Sequence, residues 1–254
     1  MSVFTILQRN VKWRFHNSFT IVVTILQPIL WLVLYSAVAS QTMQGTQGTG
    51  ISNYTGFILP GLIVLVSFSA CSSGGIMNYM MKADGSFYRI LIAPVRRSSI
   101  VLGQLLEAVL CTFIEVFIMG AISLLFSVEF SAGIWTFLLA ILLVFLAAFF
   151  ISGMAYGISL ILPNEVVYET VMNAIVLPLF FLSTALFPAK GIDGILRVIV
   201  NLNPFTHIIN ALRSLLLDGT IVASEMLFVI ILFVAMGSIS FGWAIHRLNR
   251  ETAL

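Results

Sequence analysis

Charge is what this sequence has least of. Asp, Glu, Lys and Arg together make up 9% of its 254 residues, against about 25% in an ordinary soluble domain. A water-facing surface cannot be built from that composition, so the lipid bilayer has to act as solvent. Cysteine is scarce too. Cys71 and Cys111 both fall inside long apolar runs, which excludes a disulfide framework and a thiolate metal site and leaves two small core residues. His16, His207 and His246 stand far apart in different segments, and no nucleophile–His–acid grouping forms around them. The G-x-x-x-x-G-K-[ST] loop that cradles nucleotide phosphates is missing, so any ATP chemistry must come from a partner and the chain is not itself a hydrolase. A net charge of +2 is too small to imply nucleic acid.

What is present is apolar sequence, 60% of the chain. A helix needs roughly 20 apolar residues to cross about 30 Å of hydrocarbon. Six stretches qualify: about Phe19–Ala39, Tyr54–Met80, Val101–Phe126, Ile134–Ile161, Val166–Phe187 and Met226–His246. They are continuous rather than alternating, which excludes barrel strands. The first stretch exceeds the 7–15 residues of a secretory signal and is expected to stay as a span. Lys and Arg mark the cytoplasmic side of short loops. With both termini inside, that side carries nine of them, and Lys190, Arg197 and Arg213 fall outside. The loop Ser40–Asn53, rich in Gly, Thr and Gln, reads as an external connection. The chain is therefore expected to be an all-α, multi-pass protein of the cell's cytoplasmic membrane, one transmembrane domain over residues 1–254.

Three segments do not simply cross. In Val3–His16, Val3, Leu7, Val11 and Phe15 recur every four residues, with Arg9, Lys12 and His16 on another face. That pattern predicts an interface helix over about 3–17 lying at headgroup depth; a basic tail that only sets orientation is the alternative. After 65 residues without charge, from Asn17 to Met81, "KADGSFYRILIAPVRRSS" brings five charges at once. Asp84 can cap a short helix there and Pro94 can end it. Phe87, Ile90 and Leu91 share an apolar face, with Arg89 turned away. Such an element, within a loop over 82–97, suits docking into a moving cytoplasmic partner, or else simple anchoring. Third, Phe187–Gly219 holds two apolar pieces of 11 and 13 residues, Ile192–Leu202 and Phe205–Leu217, split by Asn203-Pro204. Each is too short to span, which predicts a helix pair dipping in from outside within 188–223; one kinked seventh span is the alternative.

Glu107, Cys111 and Glu115 form one stripe on the third span. Glu107 is near enough to the cytoplasmic end to pair with Arg96 or Arg97. Glu115 is nearer midplane, where a carboxylate has to face protein or water. Pro28, Pro60 and Pro178 are expected to kink their spans, and Gly153 with Gly157 to let another helix approach closely.

The whole chain resembles the permease subunit of type-2 ABC exporters. The resemblance rests on the amphipathic N-terminal segment, on "FYRILIAPVRRSSIVLGQ" and on "LPLFFLSTALFPAKGIDGILRVIVNLNPFTHIINALRSLLLDG". It implies a coupling helix between spans two and three, with Asp84, Phe87, Tyr88, Arg89, Ile90 and Leu91 as the ATPase-coupling residues. It implies paired external re-entrant helices between spans five and six, whose gate residues recur here as Phe187-Pro188, Asn203-Pro204 and Arg213. It also implies a second permease copy in a homodimer and separate ABC ATPase subunits that bind ATP and Mg, with no cofactor in this chain. Glu115, Phe180 and Phe181 are the candidate pathway residues. The expected cargo is a drug or lipid-like molecule; a lipid-linked polysaccharide or teichoic-acid-like glycan is the alternative, and a proton-coupled secondary transporter using Glu115 is a third.

Overall fold

The computed structural model describes residues 3–15, 22, 26–35, 37, 54–126, 128, 130–186 and 193–251. Among them every regular element is helical, as expected where no water is at hand to satisfy backbone polar groups. In chain order these are α1 (Val3–Arg14), α2 (Leu26–Tyr35), α3 (Tyr54–Ala83), α4 (Ser86–Ile92), α5 (Arg97–Leu125) and α6 (Ile134–Ser159). They are followed by α7 (Glu165–Phe181), α8 (Gly194–Leu202), α9 (Pro204–Arg213), a π-helical turn (Ser214–Asp218) and α10 (Ala223–Glu251).

Four helices, α3, α5, α6 and α10, are long and apolar enough to cross a membrane; the bent pair of α8 and α9 makes a fifth if taken as one span. The chain is a multi-pass membrane protein, but the expected six spans are not all present as full-length helices. The predicted first span is described only in part, chiefly as α2. The fifth ends early: α7 has 17 residues, about 25 Å, and stops at Phe181 rather than Phe187. The reason is local. The Ser183 hydroxyl donates to the Phe180 carbonyl at 2.6 Å and accepts the Ala185 amide at 3.2 Å, folding the chain into a turn. Between α8 and α9 the axis turns by 77°. Pro204 opens α9, where its missing N–H costs nothing, and forces Asn203 out of helix to φ −71°, ψ 117°. The loop Ser40–Asn53 and residues Phe187 and Pro188 lie outside the described residues.

α3 is the central helix, in contact with α5, α6, α7 and α9, while α10 packs on α6 and α1 on α5. Phe68 (α3), Phe150 (α6), Phe205 (α9) and Phe233 (α10) meet as one aromatic knot, the closest pair 4.7 Å between centroids. Small residues set how near the helices come. Gly153 and Gly157 of α6 face Ser240 and Trp243 of α10, as their spacing predicts. Gly75 of α3 lies beneath the ring of Tyr168, the side chain through which the otherwise exposed start of α7 is buried. The Tyr168 hydroxyl donates to the Ser72 carbonyl at 2.9 Å. A β-carbon at Gly75 would overlap the Tyr168 ring, whereas one at Gly120 meets nothing within 4 Å. Gly75→Ala is therefore expected to lower stability in detergent by about 1–3 kcal/mol, with Gly120→Ala neutral; thermal unfolding of the two variants checks this, and equal midpoints would contradict it.

Candidate functional site

The two ends of the bundle differ in chemistry. At one end the chain gathers most of its basic residues, carried by α1, the ends of α3 and α10, α4 and the start of α5. The stripe of α1 buried against the bundle is Ile6, Asn10 and Arg14, while the apolar stripe of Val3, Leu7, Val11 and Phe15 is only half-buried. The reason is polar matching. The Asn10 amide donates to Gln104 Oε1 at 2.9 Å, and Gln104 Nε2 donates to the Gly74 carbonyl at 3.2 Å. Arg14 forms an ion pair with Glu107, and its Nη1 donates to Ser73 Oγ at 2.7 Å. Gly103 lets Ile6 sit against α5; a β-carbon there would come within 2.7 Å of it.

Glu107 therefore pairs with Arg14, not with Arg96 or Arg97. Ten residues of helix separate Glu107 from Arg97, about 15 Å along the axis. Arg97 instead donates to the Leu91 carbonyl at 2.8 Å, satisfying one of the free carbonyls at the end of α4, and Arg96 is exposed. Glu107 is fully buried and Arg14 nearly so, a placement that only a paired charge tolerates.

α4 starts from Gly85, at φ 74°, a left-handed conformation glycine takes without strain. Gly85 is thus the cap, not Asp84. Asp84 accepts the Ser86 amide at 2.8 Å, and hydrogen bonding from Ser86 holds its carboxyl below the usual range. The helix ends at Ile92 before an extended Ala93 and Pro94, as predicted. The apolar face read as suited to docking is turned inward: Phe87 is 2% exposed and packs with Ile6, Met77, Met81, Ile100 and Leu248. Lys82 Nζ lies 5.2 Å from the Phe87 ring centroid and 3.3 Å from Glu251 of α10. Ile90 and Leu91 are half-buried against the same cluster. The outward surface is Tyr88, Arg89 and Ile92, the last 85% exposed. Burial follows from geometry: a seven-residue helix between two long ones must turn its apolar face to the bundle before anything else can use it.

At the opposite end, Asn203 and Arg213 act as clamps. Asn203 Nδ2 donates to the Leu179 and Leu182 carbonyls at 2.7 and 2.9 Å, while its Oδ1 accepts the Phe205 amide at 3.0 Å. One side chain thus closes the end of α7 and opens α9. Arg213 donates to the carbonyls of Thr184 at 2.8 Å and Phe57 at 3.2 Å, and its guanidinium stacks on the Phe57 ring at 3.9 Å. Of the candidate pathway residues, Phe181 is 57% exposed, but Phe180 and Glu115 are buried inside one chain, and one Glu115 carboxylate oxygen has no hydrogen-bond partner among the described residues. The structure does not bring Glu115 and Phe181 together on one exposed surface. Cys71 and Cys111 are buried, Cys71 against Thr112 and Cys111 against Glu107, in keeping with small core residues. Asn10, Gln104, Tyr168 and the Lys82–Glu251 pair escaped the sequence reading. The only signal was spacing: Asn10 and Arg14 four apart on α1, Gln104 and Glu107 three apart on α5.

A family model described as ABC-2 type transporter matches residues 1–217. A transport permease (ycf38) of Cyanophora paradoxa is 27% identical over 210 residues, covering 82% of this chain and 72% of its own length. Its namesake in Pyropia yezoensis is 29% identical, covering 80% and 69%. ABC transporter G family member 20 of Dictyostelium discoideum is 28% identical over 177 residues, 68% of this chain but 23% of that protein.

The Arg14–Glu107 pair makes a direct prediction. Removing one partner, as in Arg14→Ala, should destabilise the protein by about 3–5 kcal/mol, because it strands a buried carboxylate. Replacing both, with Arg14→Met and Glu107→Leu, should recover most of that loss. Thermal unfolding of purified single and double variants measures it, and an Arg14→Ala protein as stable as wild type would contradict the pairing.

Proposed function

The chain belongs to the ABC-2 type transporter family, and on that premise we propose that it is the membrane subunit of an ATP-driven exporter, powered through the outward face of α4. The family makes it a membrane transport subunit rather than the ATPase and implies an ABC ATPase partner. Our reading goes further. ATP and Mg are held by that separate subunit, two copies of this chain form the pathway, and both termini lie in the cytoplasm. α1 lies at the inner surface of the cell's cytoplasmic membrane, α4 receives the ATPase, and α8 with α9 dips in from outside as the re-entrant gate.

The observation that carries this reading is how α4 is held. Its inner face is locked by Phe87 into a cluster shared with α1, α3, α5, α6 and α10, while Tyr88, Arg89 and Ile92 project outward. A push on that face is transmitted to every long helix except α7. Asp84 holds the Ser86 amide in the turn before α4, and Ile90 and Leu91 seat the helix.

The pathway is best assigned to α7. Glu169, Asn173, Leu177 and Phe181, spaced by four, are all exposed. Asn173 falls mid-helix, where a polar side chain facing lipid is costly, so this stripe faces the second copy or a water-filled path. Leu177 and Phe181 suit a hydrophobic or amphipathic cargo, drug or lipid-like; the polar half of the stripe also admits a lipid-linked glycan. A second reading, proton-coupled transport, is favoured only by the unpartnered carboxylate oxygen of Glu115.

Two measurements test this. Tyr88→Ala with Ile92→Ala should leave the chain inserted and folded but cut ATP-dependent transport about tenfold or more, the scale of losing 1.4 kcal/mol or more of an interface contact. Full transport in that variant would overturn the coupling surface. In ATP-depleted vesicles with an imposed pH gradient, no transport is expected, and Glu115→Gln should leave ATP-driven transport largely intact. Gradient-driven transport lost in Glu115→Gln would establish the second reading instead.

A further inference from the structure

An open groove of about 250 Å³ runs between α1 and α4, lined by Thr5, Ile6, Arg9, Arg89, Ile90 and Ala93. Two guanidiniums from different helices border it, both exposed. Arg9 Nη2 is held by Asn10 Oδ1 at 2.9 Å and Met81 Sδ at 3.2 Å. That fixes its direction but offers no anion, and no side-chain hydrogen bond or ion pair engages Arg89 among the described residues. Among the described residues, the acidic group near both is Asp84. Its carboxylate is exposed and already accepts the Ser86 amide, so two positive charges stand against one negative. The floor is apolar, from Ile6, Ile90 and Ala93. On the same helix Phe4 and Trp13 are 69% and 40% exposed, bulky side chains of the kind that seat a helix at a bilayer surface.

We propose that this groove is a binding site for one anionic glycerophospholipid, its phosphate held between Arg9 and Arg89 and its glycerol end lying over Ile90 and Ala93. A guanidinium offers paired N–H donors that match phosphate oxygens, and two of them from separate helices line this one groove. The apolar floor and the exposed Phe4 and Trp13 favour a lipid over an acidic segment of a protein partner, which would have no use for them. Bound there, the lipid bridges α1 and α4 and adds to the contacts that hold α4 on the bundle. The inference rests on α1 lying at the membrane surface, as in the function proposed above.

Native mass spectrometry of the full chain in neutral detergent, titrated with phosphatidylglycerol or phosphatidylcholine, tests it. The first phosphatidylglycerol should bind about tenfold more tightly than phosphatidylcholine. Arg9→Gln with Arg89→Gln should reduce that preference to about twofold or less, while Arg96→Gln, which removes an equal charge outside the groove, should keep it. If the double variant does not fold, Arg89→Gln alone, at an exposed position without a side-chain hydrogen bond, should lose most of the preference. Equal binding of both lipids by wild type, a preference that survives the double variant, or an equal loss in Arg96→Gln would overturn the site. So would displacement of phosphatidylglycerol by inorganic phosphate (a free-anion site) or by hexaglutamate (a site for an acidic protein partner). A chain that inserts into micelles but does not discriminate removes the lipid site and leaves the transporter reading standing. A chain that fails to partition into micelles or vesicles at all would overturn that reading itself.

Discussion

The buried ion pair between Arg14 and Glu107 is the contact on which the basic end of the molecule depends. An ionised carboxylate on a long apolar helix is costly unless a partner charge meets it, and for Glu107 the partner is the last residue of an amphipathic helix. The pair draws α1 against α5, and the Arg14 bond to Ser73 ties it to α3 as well. With α1 so placed, Ile6 becomes a wall of the cluster that receives Phe87. The short α4 is thus seated on a surface that exists because a charge far along α1 found its counterpart. Neither helix is long enough to hold its position alone; each is fixed by the bundle and by the other.

The opposite end solves a different problem with different groups. Breaking a helix in an apolar setting frees backbone N–H and carbonyl groups that must find partners inside the protein. Asn203 takes two carbonyls at the end of α7 and the first free amide of α9, and Arg213 takes two more carbonyls beside the start of α3. These are side-chain-to-backbone bonds rather than ion pairs. They leave the bend between α8 and α9 fully defined without any charge partner. The ring of Phe57 shields the half-buried Arg213 guanidinium from one side.

Much of this was legible in the sequence, and what was not follows a pattern. Continuous apolar runs identify α3, α5, α6 and α10 because a spanning helix has no cheaper alternative. Pro94 and Pro204 mark the end of α4 and the start of α9, since proline acts locally whatever surrounds it. Asn203 and Arg213 stand out through the recurring motif around them. Facing was the weak point. The apolar stripe of α1 does not reveal which side meets the bundle: Asn10 and Arg14 are drawn in by Gln104 and Glu107, about 90 residues away in the chain. The face of Phe87, Ile90 and Leu91 reads as open to a partner, yet the nearest apolar surface is the protein's own. The early end of α7 was hidden for a similar reason: Ser183 competes with the helix through a hydrogen bond that hydropathy does not register.

The central claim is that force enters through the outward face of α4, while Phe87 only anchors that helix. A photoreactive amino acid placed singly at Phe87, Tyr88 and Ile92 in the chain co-assembled with its ATPase tests this most directly. The account predicts crosslinks to the ATPase from Tyr88 and Ile92, and crosslinks from Phe87 only within the chain. Capture of the ATPase from Phe87, with none from Tyr88 or Ile92, would contradict it.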